Sequence, residues 1–154
     1  RLMASVEKPA LYVLDNAPNC SADRINERSE AFFRVIRDAH PDVPVVIVEH
    51  PLYPTMRLNN YAREDITARN NAQKAFYEKL RKAGEKRIYY VSADKLLDEM
   101  KEGTVDGNHF TDLGVTYYVN AILPTIKKAL KASPYPMFRS TSVGFSGSFS
   151  YSPQ

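Results

Sequence analysis

Asp106 and His109 stand three residues apart in Val105-Asp106-Gly107-Asn108-His109-Phe110-Thr111-Asp112-Leu113-Gly114. In a turn, an Asp-x-x-His spacing lets the carboxylate fold back onto imidazole Nδ1. That contact fixes the tautomer, leaves Nε2 as a proton acceptor and stabilises the imidazolium that forms. The chemistry offered is that of a general base with its orienting partner. The same residues also serve as ordinary turn formers, with Thr111 or Asp112 capping the helix that follows. Spacing alone does not choose between the two. His50 follows an apolar run, next to Glu49 and near Tyr53 and Arg57. It reads either as the wall of a substrate pocket shared with Tyr53 or as a loop histidine held by the neighbouring carboxylate. His40 precedes Pro41 at a helix end, where a cation suits the helix dipole, and is given no chemistry. Cys20 is read as a packing residue at a helix start, and no metal ligands are expected.

The elements that must position these residues follow from the hydrophobic pattern. Ala10–Asp15 is a nearly continuous apolar run, as expected of a strand covered on both faces. A helical pattern from about Ser21 carries Ile25, Phe32, Phe33, Val35 and Ile36 near a 3.6-residue period and ends at His40-Pro41. Val43 to Val48 reads as a second buried strand and Arg87 to Val91 as a third. Between them, a loop from Glu49 to Asn60 leads into a helix from about Tyr61 to Ala83, with Ile66, Phe76, Tyr77 and Leu80 on its apolar face and Gly84 as its stop. Leu96, Leu97 and Met100 suggest a short helix. The last helix spans about Thr111 to Ala132, with Val115, Tyr118, Val119, Ile122, Ile126 and Leu130 turned inward. Alternating strands and helices imply right-handed crossovers and a parallel sheet between helical layers. In such sheets ligands bind beyond the carboxyl ends of the strands, and the Asp106–His109 turn and the Asn16–Asn19 turn both belong to that edge.

The chain's 154 residues include 21 basic and 18 acidic side chains, a net charge of +3, with 44% hydrophobic residues. This is the composition of one globular domain, assigned to residues 1–132, followed by a Ser-, Gly-, Pro- and aromatic-rich extended tail at 133–154. No apolar run is long enough for a membrane-spanning helix. One cysteine excludes an internal disulfide or a multi-cysteine zinc site. The basic cluster Lys79, Arg81, Lys82, Lys86 and Arg87 reads as a solvated helix end, not as a nucleic-acid surface. No phosphate-binding glycine motif is present. Three strands make a thin sheet. A strand from the tail, from another chain or from sequence ahead of Arg1 would widen it; the last is expected, because Arg1–Ser5 reads as the end of an amphipathic helix.

Three segments together carry a family resemblance. Asp106-Gly107-Asn108-His109-Phe110-Thr111-Asp112-Leu113-Gly114 resembles the last catalytic block of the SGNH (GDSL-like) hydrolase superfamily. Leu11-Tyr12-Val13-Leu14-Asp15-Asn16-Ala17-Pro18-Asn19 is similar to the strand and turn bearing that superfamily's block III asparagine in a GDSL-like lipase/acylhydrolase branch. His40-Pro41-Asp42-Val43-Pro44-Val45 is similar to the same branch's entry into its next strand. The resemblance covers roughly Leu2 to Leu130. It implies a three-layer α/β/α sandwich with a parallel sheet of flavodoxin-like order, incomplete at the N-terminus. It also implies a serine ester hydrolase acting on a carbohydrate or other small acyl ester, with no cofactor, and an exported protein, secreted or periplasmic. His109 would be the base, Asp106 its partner, and Asn19 an oxyanion-hole donor. The family's nucleophile and glycine donor precede the strand that here begins at Ala10, and the chain is expected to lack that block. Ser146, in Gly144-Phe145-Ser146-Gly147, is a weak nucleophile candidate that the tail's composition explains as well. A non-catalytic α/β binding module is the alternative.

Overall fold

The computed structural model describes residues 2–97 and 102–135. Three parallel strands, β1 (Tyr12–Leu14), β2 (Val45–Val48) and β3 (Ile88–Val91), lie side by side in sequence order, with Tyr12 opposite Val45 and Val45 opposite Ile88. Helices α1 (Ala22–Ala39) and α2 (Asn60–Lys82) make the crossovers and pack against each other on one face, and α3 (Asp112–Leu130) covers the other. This is the expected layered α/β architecture. The three strands show no reversal of order, so the crevice at their carboxyl ends is made by loops and by the start of α3.

The core follows the strand pleat. Tyr12, Leu14, Val45, Ile47 and Ile88 point to α1 and α2 and pack on Phe33, Ile36, Phe76 and Leu80. Val46, Val48 and Val91 point the other way, onto Leu96 and Ala129, with Tyr118 and Ile122 packed beside them. β2 is buried at every position because a helix lies over both of its faces.

Helix ends are fixed by side chains. Ser21 Oγ accepts the Arg24 N–H, Asn59 Oδ1 accepts the Ala62 N–H and Thr111 Oγ1 accepts the Gly114 N–H. Gly84, at φ +91°, turns the chain out of α2.

Two helices depart from the inward faces read from their periodicity. Phe32 and Val35 of α1 are 41% and 42% exposed, and Val115 and Val119 of α3 are 48% and 43% exposed. The helical period marks these residues as apolar-face positions, but α3 sits over β2 and β3, leaving Val13 of β1 and the near side of α3 open. On α1, Phe32 and Val35 lie on the side turned away from α2. A 3₁₀ turn at Ala93–Lys95 follows β3. Met100 of the expected short helix, Ser146 and all but the first three residues of the tail lie outside the described residues.

Candidate active site at the carboxyl edge of the sheet

The turn between residues 103 and 111 is closed before α3 begins. Val105 N–H donates to the His109 carbonyl (2.9 Å), Thr111 N–H donates to the Gly103 carbonyl (3.0 Å), and Thr104 and Phe110 form an isolated antiparallel bridge. Gly114 is required here: a Cβ on it would lie 1.9 Å from the Gly103 oxygen. Gly107 is required too, since its φ is +85° and a Cβ would meet Thr55 Cγ2 at 2.4 Å. Within this loop Asp106 Oδ1 accepts the backbone N–H groups of Asn108 (2.9 Å) and His109 (2.8 Å), while Oδ2 lies 2.7 Å from His109 Nδ1. The backbone N–H of His109 is the largest of the influences holding the Asp106 carboxyl down at about 2, followed by its contact with the His109 ring. Asp106 is therefore a carboxylate at any working pH and accepts from the Nδ1–H of His109, which leaves Nε2 without a partner among the described residues. The pair is open to solvent, with the two side chains 74% and 52% exposed. Such exposure screens its field, so the pair offers fixed geometry more than low-dielectric stabilisation.

Asn19 ends the 3₁₀ turn Ala17–Asn19 that follows β1. Its backbone N–H donates to the Asn16 carbonyl, and its exposed side chain makes no hydrogen bond among the described residues. Arg69, a residue the sequence reading passed over, reaches this turn from α2. Its Nη1 donates to the carbonyls of Ala17 (3.3 Å) and Pro18 (2.9 Å), and its Nη2 is paired with Asp65 one helical turn earlier at 2.6 Å. The signal available in sequence was the Asp65-x-x-x-Arg69 pair beside polar Asn70 and Gln73, which fall on the inward side of α2 where apolar residues are expected. Both are buried and tie down the loop after β2. Asn70 Oδ1 accepts the His50 N–H (2.7 Å), Asn70 Nδ2 donates to the His50 carbonyl (2.9 Å), and Gln73 Nε2 donates to the Val48 carbonyl (3.2 Å).

His50 itself is buried, its Nδ1 donating to the Pro51 carbonyl at 2.7 Å. Burial pushes its pKa down, so the ring is neutral at pH 7 with the lone pair on Nε2. It is not held by Glu49. That carboxylate turns away to accept the Tyr90 hydroxyl and the Ala93 N–H. An aromatic ladder crosses the crevice: His50 meets Tyr53 edge-on (5.1 Å), Tyr53 meets Phe110 (6.3 Å), and Phe110 meets Tyr118 (5.3 Å). The Tyr118 hydroxyl donates to Asp15 at 2.6 Å. Burial raises the pKa of both Tyr53 and Tyr118, and both stay neutral hydroxyls. Pro18, next to Asn19, and Asn108, next to His109, line one cavity together with His50 and Tyr53. Cys20 is half-buried and faces a separate surface hollow with Arg24 and Phe32. His40 Nε2 contacts the Ala4 carbonyl at 3.1 Å, far along the chain from this edge. Among the described residues no group of His, Cys, Asp and Glu is arranged to hold a metal ion.

The model of the GDSL-like lipase/acylhydrolase family matches residues 1–127. The chain belongs to that family. A crystal structure described as a GDSL-like lipase from Bacteroides ovatus superposes with a TM-score of 0.79 at 34% identity, over 84% of this chain. The match takes up 38% of that protein, so this chain spans well under half the length of its structural relative. No curated protein matches it.

Proposed function

We propose that this GDSL-like domain contributes the base and an oxyanion donor to a serine ester hydrolase that removes an acyl group from a carbohydrate or other small alcohol. The observation that carries the reading is the Asp106–His109 pair, bonded at 2.7 Å with Nε2 unoccupied, in a turn at the carboxyl edge of a parallel sheet. Nε2 takes the proton of a serine hydroxyl as its oxygen bonds to the ester carbonyl carbon. Asp106 steadies the imidazolium, and the Asn19 amide together with backbone N–H groups holds the oxyanion. Collapse breaks the carbon–oxygen bond to the alcohol, which leaves with the proton from Nε2. Water then attacks the acyl-serine by the same route and regenerates the hydroxyl. No described residue is assigned as the serine, and Ser146 lies outside that set.

The test is turnover of p-nitrophenyl acetate by the intact protein that carries this domain and by its His109→Ala variant. A loss of roughly 10²–10⁴-fold is expected for removal of a general base, and equal rates would end the proposal. Labelling with a fluorophosphonate and mapping the labelled peptide identifies the serine. Absence of any label together with absence of turnover would favour a binding module.

A further inference from the structure

We infer that the crevice separates the two halves of an ester into two chambers of unequal polarity, the acyl group beside Phe110 and a polyhydroxylated alcohol beside Asn108. The inference rests on the hydrolase reading above for its direction, but the chambers are features of the fold. Pro18 and Tyr53 line both, forming a shared wall. Beyond that wall the two neighbours of His109 part company: Asn108 lines one chamber and Phe110 the other. On the hydrolase reading, an ester held at this turn has one substituent in each chamber.

The Asn108 chamber, about 410 Å³, mixes the polar side chains of Asn59, Asp65, Arg69 and His50 with apolar surface from Tyr61 and Ile66. His50 supplies a fixed acceptor. The Pro51 carbonyl can only accept, so Nδ1 donates to it and the neutral ring keeps its lone pair on Nε2. Nε2 has no partner among the described residues and is not sealed from solvent. The amide of Asn59 donates and accepts, the Asp65 carboxylate accepts, and the Tyr53 ring offers an apolar face. Hydroxyls at the rim of a pyranose with C–H groups on its faces match this mixed set; a hydrocarbon chain would take the histidine lone pair out of water without giving it a partner.

The Phe110 chamber, about 250 Å³, is formed by Pro18, Pro51, Tyr53, Phe110, Val115 and Tyr118, with Asp15 at its polar end. Its aromatic and valine walls suit an acyl chain longer than acetyl. The Asp15 carboxylate, bonded to the Tyr118 hydroxyl, is tolerated beside a neutral ester but repels a carboxylate, which favours departure of the acid product.

Two neutral probes test the division on the full ¹⁵N-labelled chain by NMR titration: methyl β-D-glucopyranoside for the alcohol half and hexanamide for the acyl half. The glucoside is expected to move the amide signals of Asn59 and Asn108 while those of Phe110 and Val115 stay in place, and hexanamide is expected to do the reverse. Asn108→Ala should weaken the first set of shifts several-fold, and Val115→Glu the second. Both positions are exposed, so the rest of each spectrum should be unchanged. Exchanged sites, competition of both probes for one chamber, or no shift from either would overturn the division. Esterase failure reads differently. Shifts as assigned without turnover would leave two ligand chambers and remove the hydrolase, whereas His109-dependent turnover with both probes in one chamber would keep the hydrolase and remove the division.

Discussion

At the scale of single residues, Asp106 is the group whose state the structure defines most sharply. Three bonds converge on its carboxylate, two from backbone N–H groups and one from the His109 ring, and together they hold its pKa at about 2 against an ordinary 3.8. The sign is that of a depressed acid. Its contribution to the turn is fully present above the unfolded pKa and disappears as pH falls from about 3.8 towards 2. Through neutral pH Asp106 therefore stays a carboxylate. Asp106→Asn preserves the shape but puts an amide where a carboxylate accepts from Nδ1, so the favoured tautomer and the stabilisation of the imidazolium are both lost. A fall in turnover of roughly 10²–10⁴-fold is expected. The carboxyl carbon, followed by ¹³C NMR, should titrate near 2; a midpoint near 4 would mean that the backbone bonds are absent in solution. The Asp-x-x-His arrangement was legible in sequence because it is local, three residues closing on themselves. The neutral state of His50 was not, because it comes from burial contributed by segments far along the chain.

At the scale of elements, the question is how α2 governs a turn some fifty residues earlier. Arg69 spans that gap: one nitrogen holds two successive carbonyls of the turn while the other is anchored to Asp65 on the same helix. Its Nε is buried without a hydrogen-bond partner, a cost that the bonds of the other two nitrogens offset. In the hydrolase proposed above, Arg69 would thus position the turn that carries the Asn19 amide. Arg69→Gln should lower kcat towards the level of Asn19→Ala, a loss of roughly 10²–10³-fold for a missing oxyanion donor, with KM little changed. Arg69→Lys should recover part of it, because an ammonium reaches one carbonyl but cannot form the planar fork. Adding Arg69→Gln to Asn19→Ala should cost little more, since both act through one amide. If Arg69→Gln lowers only the melting temperature and leaves kcat intact, the clamp is structural alone. This link was hidden in the sequence for a physical reason. Strands, helices and caps follow local periodicity and chemistry, and their bounds came within a few residues, whereas a side chain bonded to distant backbone carbonyls leaves no periodic trace.

At the scale of the whole molecule, a 3.6-residue period states which residues are apolar on a helix but not whether anything lies against them. Phe32 and Phe33 are adjacent on α1, and both belong to its apolar pattern. The fold separates them. Phe33 is 2% exposed, packed edge-on against Phe76 at 6.1 Å and covered by the Arg37 guanidinium at 5.1 Å, whereas Phe32 is 41% exposed on the side of α1 away from α2. Val115 and Val119 on α3 and Val13 on β1 show the same openness on the other face. The core therefore has one cluster on each face of the sheet, centred on β2 and reaching β1 through Tyr12 and Leu14 on the α1–α2 side, and a smaller third cluster of Ala17, Ile25 and Ala72. Stability should track membership of these clusters and not hydrophobicity along the chain. Phe33→Ala removes a ring from a filled site and should cost about 3–5 kcal/mol. Phe32→Ser, one residue away, should change stability by no more than about 0.5 kcal/mol. Urea unfolding of the two variants at equal protein concentration measures both. Comparable losses would mean that the outer side of α1 is covered in solution, and that the sheet continues past β1 onto that face.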